Sequence, residues 1–193
     1  MDIQQGLIAL KESIQQRTGI SDEELLLLAP YIEIKNLPKK ALLTALGEVE
    51  QYVYYIVEGI TRSYFKKDTR EISFEFYFTG TFINSYTSFL TRKPSAHAIE
   101  AFTPVVLLCI HHDDLMELYA KSSKFEQIGR IFTEDLFHKT SERVKDLISL
   151  SAQERYQKLL DAYPQYIRQI PLKYLASFLN MTPESLSRIR KNI

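Results

Sequence analysis

The chain has 193 residues, 45% of them hydrophobic, which suits one large domain or a medium one with a small companion and allows a real core. The single cysteine, Cys109, excludes an intrachain disulfide and any four-cysteine zinc or iron–sulfur centre. Formal charge is zero overall but uneven: residues 151–193 hold seven Lys/Arg against three Asp/Glu, and residues 1–150 hold 17 against 21. The opening Met1-Asp2-Ile3-Gln4-Gln5-Gly6 has no basic segment leading into an apolar one, so it is no secretory signal. The apolar runs fall far short of the roughly 20 residues that span a bilayer. The expectation is a soluble, cytoplasmic protein with no membrane partner.

Residues 1–30 read as helical. Leu7, Leu10, Ile14 and Ile20 recur at near-helical intervals, Ser21 with Glu24 makes a capping box before Leu25–Leu28, and Pro30 stops that helix. Residues 31–112 change period. Ile72, Phe74, Phe76 and Phe78 alternate with Ser73, Glu75 and Tyr77, the pattern of a half-buried strand. Gln51–Ile56 and Thr61–Phe65 are strand candidates separated by Glu58-Gly59, and Lys66-Lys67-Asp68-Thr69 is a polar hairpin tip. Ala98–Phe102 and Pro104–Ile110 add strands, and Cys109 in the latter run reads as a buried, inert thiol. Several short strands with frequent turns predict a small barrel or roll.

Residues 113–162 turn helical again. Asp113-Asp114 can cap a short helix through Ala120, and a long helix follows from about 123 to 148. Its apolar stripe runs through Ile128, Ile131, Phe132, Leu136, Phe137, Val144, Leu147 and Ile148, wide enough to face both the roll and a second subunit. Ala152–Ala162 is a further helix.

The last segment, 170–193, carries the clearest chemistry. Pro171 fits a first helical position, Leu172, Leu175, Ala176 and Leu179 share a face, and Asn180 suits a left-handed helix end. Thr182 can cap the next helix, with Pro183 at its first position. Leu186 and Ile189 then point to the core and leave Glu184, Ser185, Ser187, Arg188 and Lys191 outside. Two capped helices around a short turn, the second studded with short polar and basic side chains, describe a helix-turn-helix whose second helix enters the DNA major groove. Arg can read guanine bidentately, Glu can accept from cytosine, and Ser and Thr can contact phosphates or bases. The basic excess lies in this same segment, where phosphate neutralisation needs it.

Helices, a β-roll, a long helix and a C-terminal helix-turn-helix resemble, over essentially the whole chain, the Crp/Fnr family of bacterial transcription regulators. Gly47, Val57-Glu58-Gly59 and Tyr77-Phe78-Thr79-Gly80-Thr81-Phe82 resemble the glycine-marked turns of its cyclic-nucleotide-binding-type roll. Ser151-Ala152-Gln153-Glu154-Arg155-Tyr156 resembles its linker, and Thr182–Arg188 the start of its recognition helix. The resemblance implies an α+β fold with a jelly-roll sensor domain over 1–148 and a DNA-binding domain over 149–193. The sensor domain would include the dimerisation helix at about 123–148. It places Glu184 and Arg188 on base-reading positions and Thr182 on a phosphate-contacting one. The implied partners are double-stranded DNA and a second copy of the chain. With the chain ending at Ile193, no full wing is expected after the recognition helix.

The effector pocket departs from the family pattern. Cyclic-AMP-binding members carry a Glu for the ribose hydroxyl and, some ten residues later, an Arg-Ser/Thr-Ala segment for the phosphate. Here Asn84 stands where the Glu would be and Pro94 where the Arg would be, while Ser95 and Ala96 remain. The pocket candidates are therefore Asn84, Ser85, Tyr86, Pro94, Ser95, Ala96 and Thr140, with His97 nearby, and little or no cyclic-AMP binding is expected. The small-molecule effector is unknown. No cofactor is implied, although a lone histidine can serve as an axial haem ligand. The histidines show no metal-ligand spacing and no nucleophile motif is present, so no enzyme is expected. The competing reading is a sensor or protein-interaction module that does not bind DNA, with a degenerate C-terminal hairpin.

Overall fold

The computed structural model describes residues 3–191. Helices α1 (Ile3–Thr18) and α2 (Asp22–Leu26) lead through a 3-10 turn, Ala29–Tyr31, into strands β1 (Glu33–Leu37), β2 (Leu42–Thr44), β3 (Tyr52–Glu58), β4 (Ile60–Lys67), β5 (Arg70–Phe78) and β6 (Phe82–Ile83). Helix α3 (Tyr86–Thr91) precedes β7 (Ala98–Ala101) and β8 (Val105–His111). Six helices follow among the described residues: α4 (His112–Lys121), α5 (Ser123–Ser149), α6 (Ala152–Ala162), α7 (Pro164–Gln169), α8 (Leu172–Phe178) and α9 (Pro183–Lys191). The strands form two four-stranded sheets, β1-β8-β3-β6 and β2-β7-β4-β5. The architecture is the expected α+β roll followed by helices.

The chain divides into two compact units, Met1–Ser63 with Tyr77–Thr133, and Tyr64–Phe76 with Glu134–Ile193. In the first unit, β3 is covered on both faces. Tyr54 and Ile56 join Ile99, Leu107 and Cys109 in the interior of the roll. Tyr55 and Val57 face the helical side with Leu10, Ile14, Leu118 and Ile128. That double coverage explains why β3 and β8 read as continuous apolar runs rather than alternating ones. Register pairs Tyr54 with Cys109 across β3 and β8, and burial pushes the Cys109 thiol up to about 12, as an inert cysteine requires. Gly59 joins β3 to β4 at φ +96, and a Cβ there would lie 2.2 Å from the Pro104 carbonyl oxygen, so no other residue fits.

The second unit gathers the outer hairpin, the C-terminal part of α5 and α6–α9. Phe76, Tyr166 and Phe178 cluster at its centre, Phe76 edge-on to the other two and the Tyr166 and Phe178 ring centroids 5.4 Å apart. The Tyr166 hydroxyl lies 2.7 Å from both the Glu75 carboxylate and the Phe76 carbonyl, and Lys139 Nζ is 3.3 Å from the other Glu75 oxygen.

Several local expectations are corrected. On β5 the polar Ser73 and Glu75 are buried while Ile72 is 39% exposed. The strand is thus not half-buried, because both of its faces acquire neighbours. Leu7 is also exposed, at 39%, whereas Leu10, Ile14 and Ile20 form the packed face of the first helical segment. Pro30 sits inside the 3-10 turn rather than ending α2, which stops at Leu26. Helix α4 is capped by His111, whose Nδ1 accepts from the Asp113 amide; Asp113 and Asp114 occupy the first turn and complement the helix dipole instead. Pro171 is the N-cap residue of α8, one position before the predicted place. Strands β1, β2 and β6 and helices α3 and α7 are not among the predicted elements; each is six residues or fewer, too short for a repeating apolar pattern to stand out.

Candidate functional site

Helices α8 and α9 form the predicted helix–turn–helix. The Leu179 amide donates to Leu175 O and the Met181 amide to Ala176 O, so these two carbonyls of α8 are answered by the backbone of the turn. Asn180 between them takes φ 54, the left-handed conformation its type tolerates. The Thr182 hydroxyl accepts from the Ser185 amide at 3.2 Å and starts α9. Leu175, Ala176 and Leu186 are fully buried, and Ala176 lets the two helices approach.

With that face fixed inside, Glu184, Ser187, Arg188 and Lys191 lie outside on the opposite face of α9, spaced at the helical repeat. The nearby Glu184 amide and Thr182 hydroxyl hold the Glu184 carboxyl below the usual range. Pro183 and Ser185 are only half exposed: Pro183 opens the helix, and Ser185 is tied to Thr182 Oγ1 at 3.2 Å. These two are start-of-helix residues before they are contacts. Arg190, exposed on the flank of α9, adds a cation that the sequence reading did not single out.

The pocket candidates divide. Asn84, Ser85, Tyr86, Pro94, Ser95 and Ala96 belong to the first unit, and Thr140 lies exposed on α5 in the second. Ser85 and Ser95 are buried and share a hydroxyl–hydroxyl bond of 2.7 Å; Ser95 Oγ also donates to His97 O. Ser85 thus faces the 92–97 loop. Pro94 and Ala96 are exposed, and Asn84 and Tyr86 half exposed, with the Tyr86 hydroxyl 3.1 Å from Thr133 Oγ1. Burial holds the His97 imidazole below its usual range.

A residue missed in the sequence organises this segment. Glu50 is 1% exposed; its carboxylate accepts from the Ser85 amide at 3.0 Å, the Tyr52 amide at 3.1 Å and the Thr44 hydroxyl. Arg92, in the left-handed region at φ 55, donates to Glu50 O at 2.6 Å and to Gln51 Oε1 at 2.5 Å. Within Gly47-Glu48-Val49-Glu50-Gln51, one buried glutamate among turn residues has no local signal. Two cavities stand out: one of 290 Å³ beside Thr44, Glu50 and Tyr52, and one of 460 Å³ in the second unit against Tyr166, Arg143 and Leu159. None of the pocket candidates lines either. Among the described residues, no group of three His, Cys, Asp or Glu is placed to hold a metal ion. No described helix is long and apolar enough to cross a membrane.

Residues 34–122 match the cyclic nucleotide-binding domain family. No curated protein matches the chain in sequence. Among solved structures, FixK2 from Bradyrhizobium japonicum is similar at TM-score 0.72 and 18% identity, covering 83% of each chain. The catabolite activator protein of Thermus thermophilus is similar at TM-score 0.59 and 19% identity, over 93% of this chain and 85% of that one. A protein from Eubacterium rectale described as a transcriptional regulator of the Crp/Fnr family gives 0.69 and 16%, over 90% and 83%. The fold is that of Crp/Fnr-type regulators.

Proposed function

We propose that this chain, a cyclic nucleotide-binding-domain protein over residues 34–122, is a sequence-specific DNA-binding transcription regulator of Crp/Fnr type that acts as a homodimer in the cytoplasm. The observation that carries the reading is α9. A fully buried Leu186 fixes one face, and Glu184, Ser187, Arg188 and Lys191 stand together on the other. The second copy is supported by Phe137, Val144 and Ile148, which are 67%, 50% and 81% exposed along one face of α5. A regulator of this kind would divide into a sensor part over 1–148 and a DNA-binding part over 149–193. In the dimer, two recognition helices meet half-sites about one DNA turn, roughly 34 Å, apart.

Arg188→Ala is expected to weaken specific binding by about 1–3 kcal/mol and to relax one base position. Selection of bound fragments from a random DNA library, run with both proteins, measures the two effects. If affinity and base preference stay unchanged, Arg188 does not read DNA. If the unsubstituted protein shows no binding at low salt, the sensor-only reading takes its place.

Cyclic AMP is not the expected effector. Pro94 supplies no cation for a cyclic phosphate and is turned to solvent, and the Glu50 carboxylate lies under the Ser85 amide, where an incoming anion would be repelled. Calorimetric titration is expected to show no saturable heat at micromolar cyclic AMP, and a micromolar isotherm would overturn this.

A further inference from the structure

The last carbonyls of any helix lack intrahelical partners, and they gather the negative end of the helix dipole. At the end of α8 two of them are met by arginines from other elements. Arg143, on α5, donates through Nη2 to Phe178 O at 2.7 Å and lies over the Phe178 ring, its guanidinium carbon 4.0 Å from the centroid. Arg155, on α6, donates through Nε to Leu179 O at 3.1 Å. The same guanidinium reaches Leu150 O through Nη1 at 2.6 Å. Leu150 is the junction between α5, which ends at Ser149, and α6, which Ser151 caps. One planar side chain thus bridges the end of the long helix and the end of the first helix of the helix–turn–helix. Lys158 Nζ, 2.7 Å from both Asp146 oxygens, staples α6 to α5 beside it.

We infer that Arg155, seconded by Arg143, is a positioning residue that sets the angle of the α8–α9 pair on α5, and so the spacing at which two copies read DNA. The inference rests on the DNA-binding reading for its consequence but not for its geometry. The hydrogen bonds of the two arginines run to the Phe178, Leu179 and Leu150 carbonyls, so they act through the backbone of α8 and of the α5–α6 junction. The fork geometry matters: a guanidinium offers donors in fixed, diverging directions, whereas a lysine ammonium is a point charge on a flexible stem. Lysine keeps the charge at the helix end and loses the bridge.

Two measurements test it. In the first, spin labels at Lys145→Cys and Ser187→Cys, both exposed positions on α5 and α9, report the angle without DNA. The buried Cys109 stays unlabelled, and unlabelled chain is added so that only distances within one copy are read. The unsubstituted background is expected to give one narrow distance, and Arg155→Ala and Arg155→Lys to lose it. In the second, operators whose half-sites differ by one base pair in separation are compared. Arg155→Lys is expected to reduce spacing discrimination about tenfold, the equivalent of one charge-assisted hydrogen bond, while the base preference at each half-site is kept. A narrow distance that survives both substitutions overturns the inference whether or not DNA binds. Spacing and base preference lost together in a folded variant also overturns it, because that pattern marks general damage. Absence of DNA binding by the unsubstituted protein overturns the functional reading alone, and the label distance still decides the clamp.

Discussion

Arg62→Met is expected to destabilise the fold by about 3–5 kcal/mol. Arg62 lies on β4 with 1% of its surface exposed, and its Nε is 2.9 Å from Glu100 Oε1 on β7. Both side chains are nearly out of water, at 2% and 14% exposure, so the pair had to be desolvated to form. Methionine fills much of the same volume and removes the charge, leaving the Glu100 carboxylate without this cation in a low-dielectric site. The loss comes mainly from taking this cation away from a carboxylate that is only 14% exposed. Urea unfolding at fixed protein concentration measures it, and the double variant Arg62→Met with Glu100→Leu should recover most of the stability, the non-additivity expected of two residues in direct contact. A single variant within about 0.5 kcal/mol of the parent, the range of ordinary surface changes, would show that the pair contributes little.

Leu186→Ala is expected to cost about 2–5 kcal/mol, the range for a large-to-small change in a packed core. Leu186 is fully buried at the α8–α9 contact, with Leu175 and Ala176 also at 0% exposure. Those two helices are short, at seven and nine residues, so neither is stable alone in water. Their geometry depends on this side chain. Denaturant unfolding should show the destabilisation, and specific DNA binding should fall with it, since Arg188 keeps its chemistry but loses its platform. Leu186→Met, which conserves volume, should cost less than about 1.5 kcal/mol. Equal losses in the two variants would mean that packing at this position is not what holds α9.

The two substitutions were unequally legible. Leu186 could be placed from spacing alone, because Thr182, Pro183 and the periodic Leu186 and Ile189 all lie within one or two helical turns. Arg62 could not: its partner is 38 positions away on another strand, and an arginine inside a strand run looks like a solvent-facing residue. The same division holds at the candidate sites. The exposed face of α9 follows from the sequence, whereas Glu50, Arg92, Arg143 and Arg155 carried no signal. Most of their partners are backbone groups brought near by folding; Arg143 and Arg155 reach carbonyls 35 and 24 residues away. Arg155 did fall within a linker-like stretch, but a motif match says nothing about which carbonyls a side chain will meet.

What the sequence determined by itself is the set of local structures: the Ser21–Glu24 capping box, the polar hairpin tip (Asp68–Thr69, shorter than the expected Lys66–Thr69 because Lys66 and Lys67 extend β4), the left-handed Asn180, the Thr182 cap and the long helix α5. Each is set by groups within about four residues of one another, so the chain encodes it wherever it occurs. Only the tertiary structure decided which polar groups are buried and what answers them. Ser73 and Glu75 go inside although their strand alternates as if half-exposed, and Arg62 finds Glu100. The physical reason is that burying a charge or a carbonyl is tolerable only when a partner arrives with it. Arrival depends on the path of the whole chain, which no local period records.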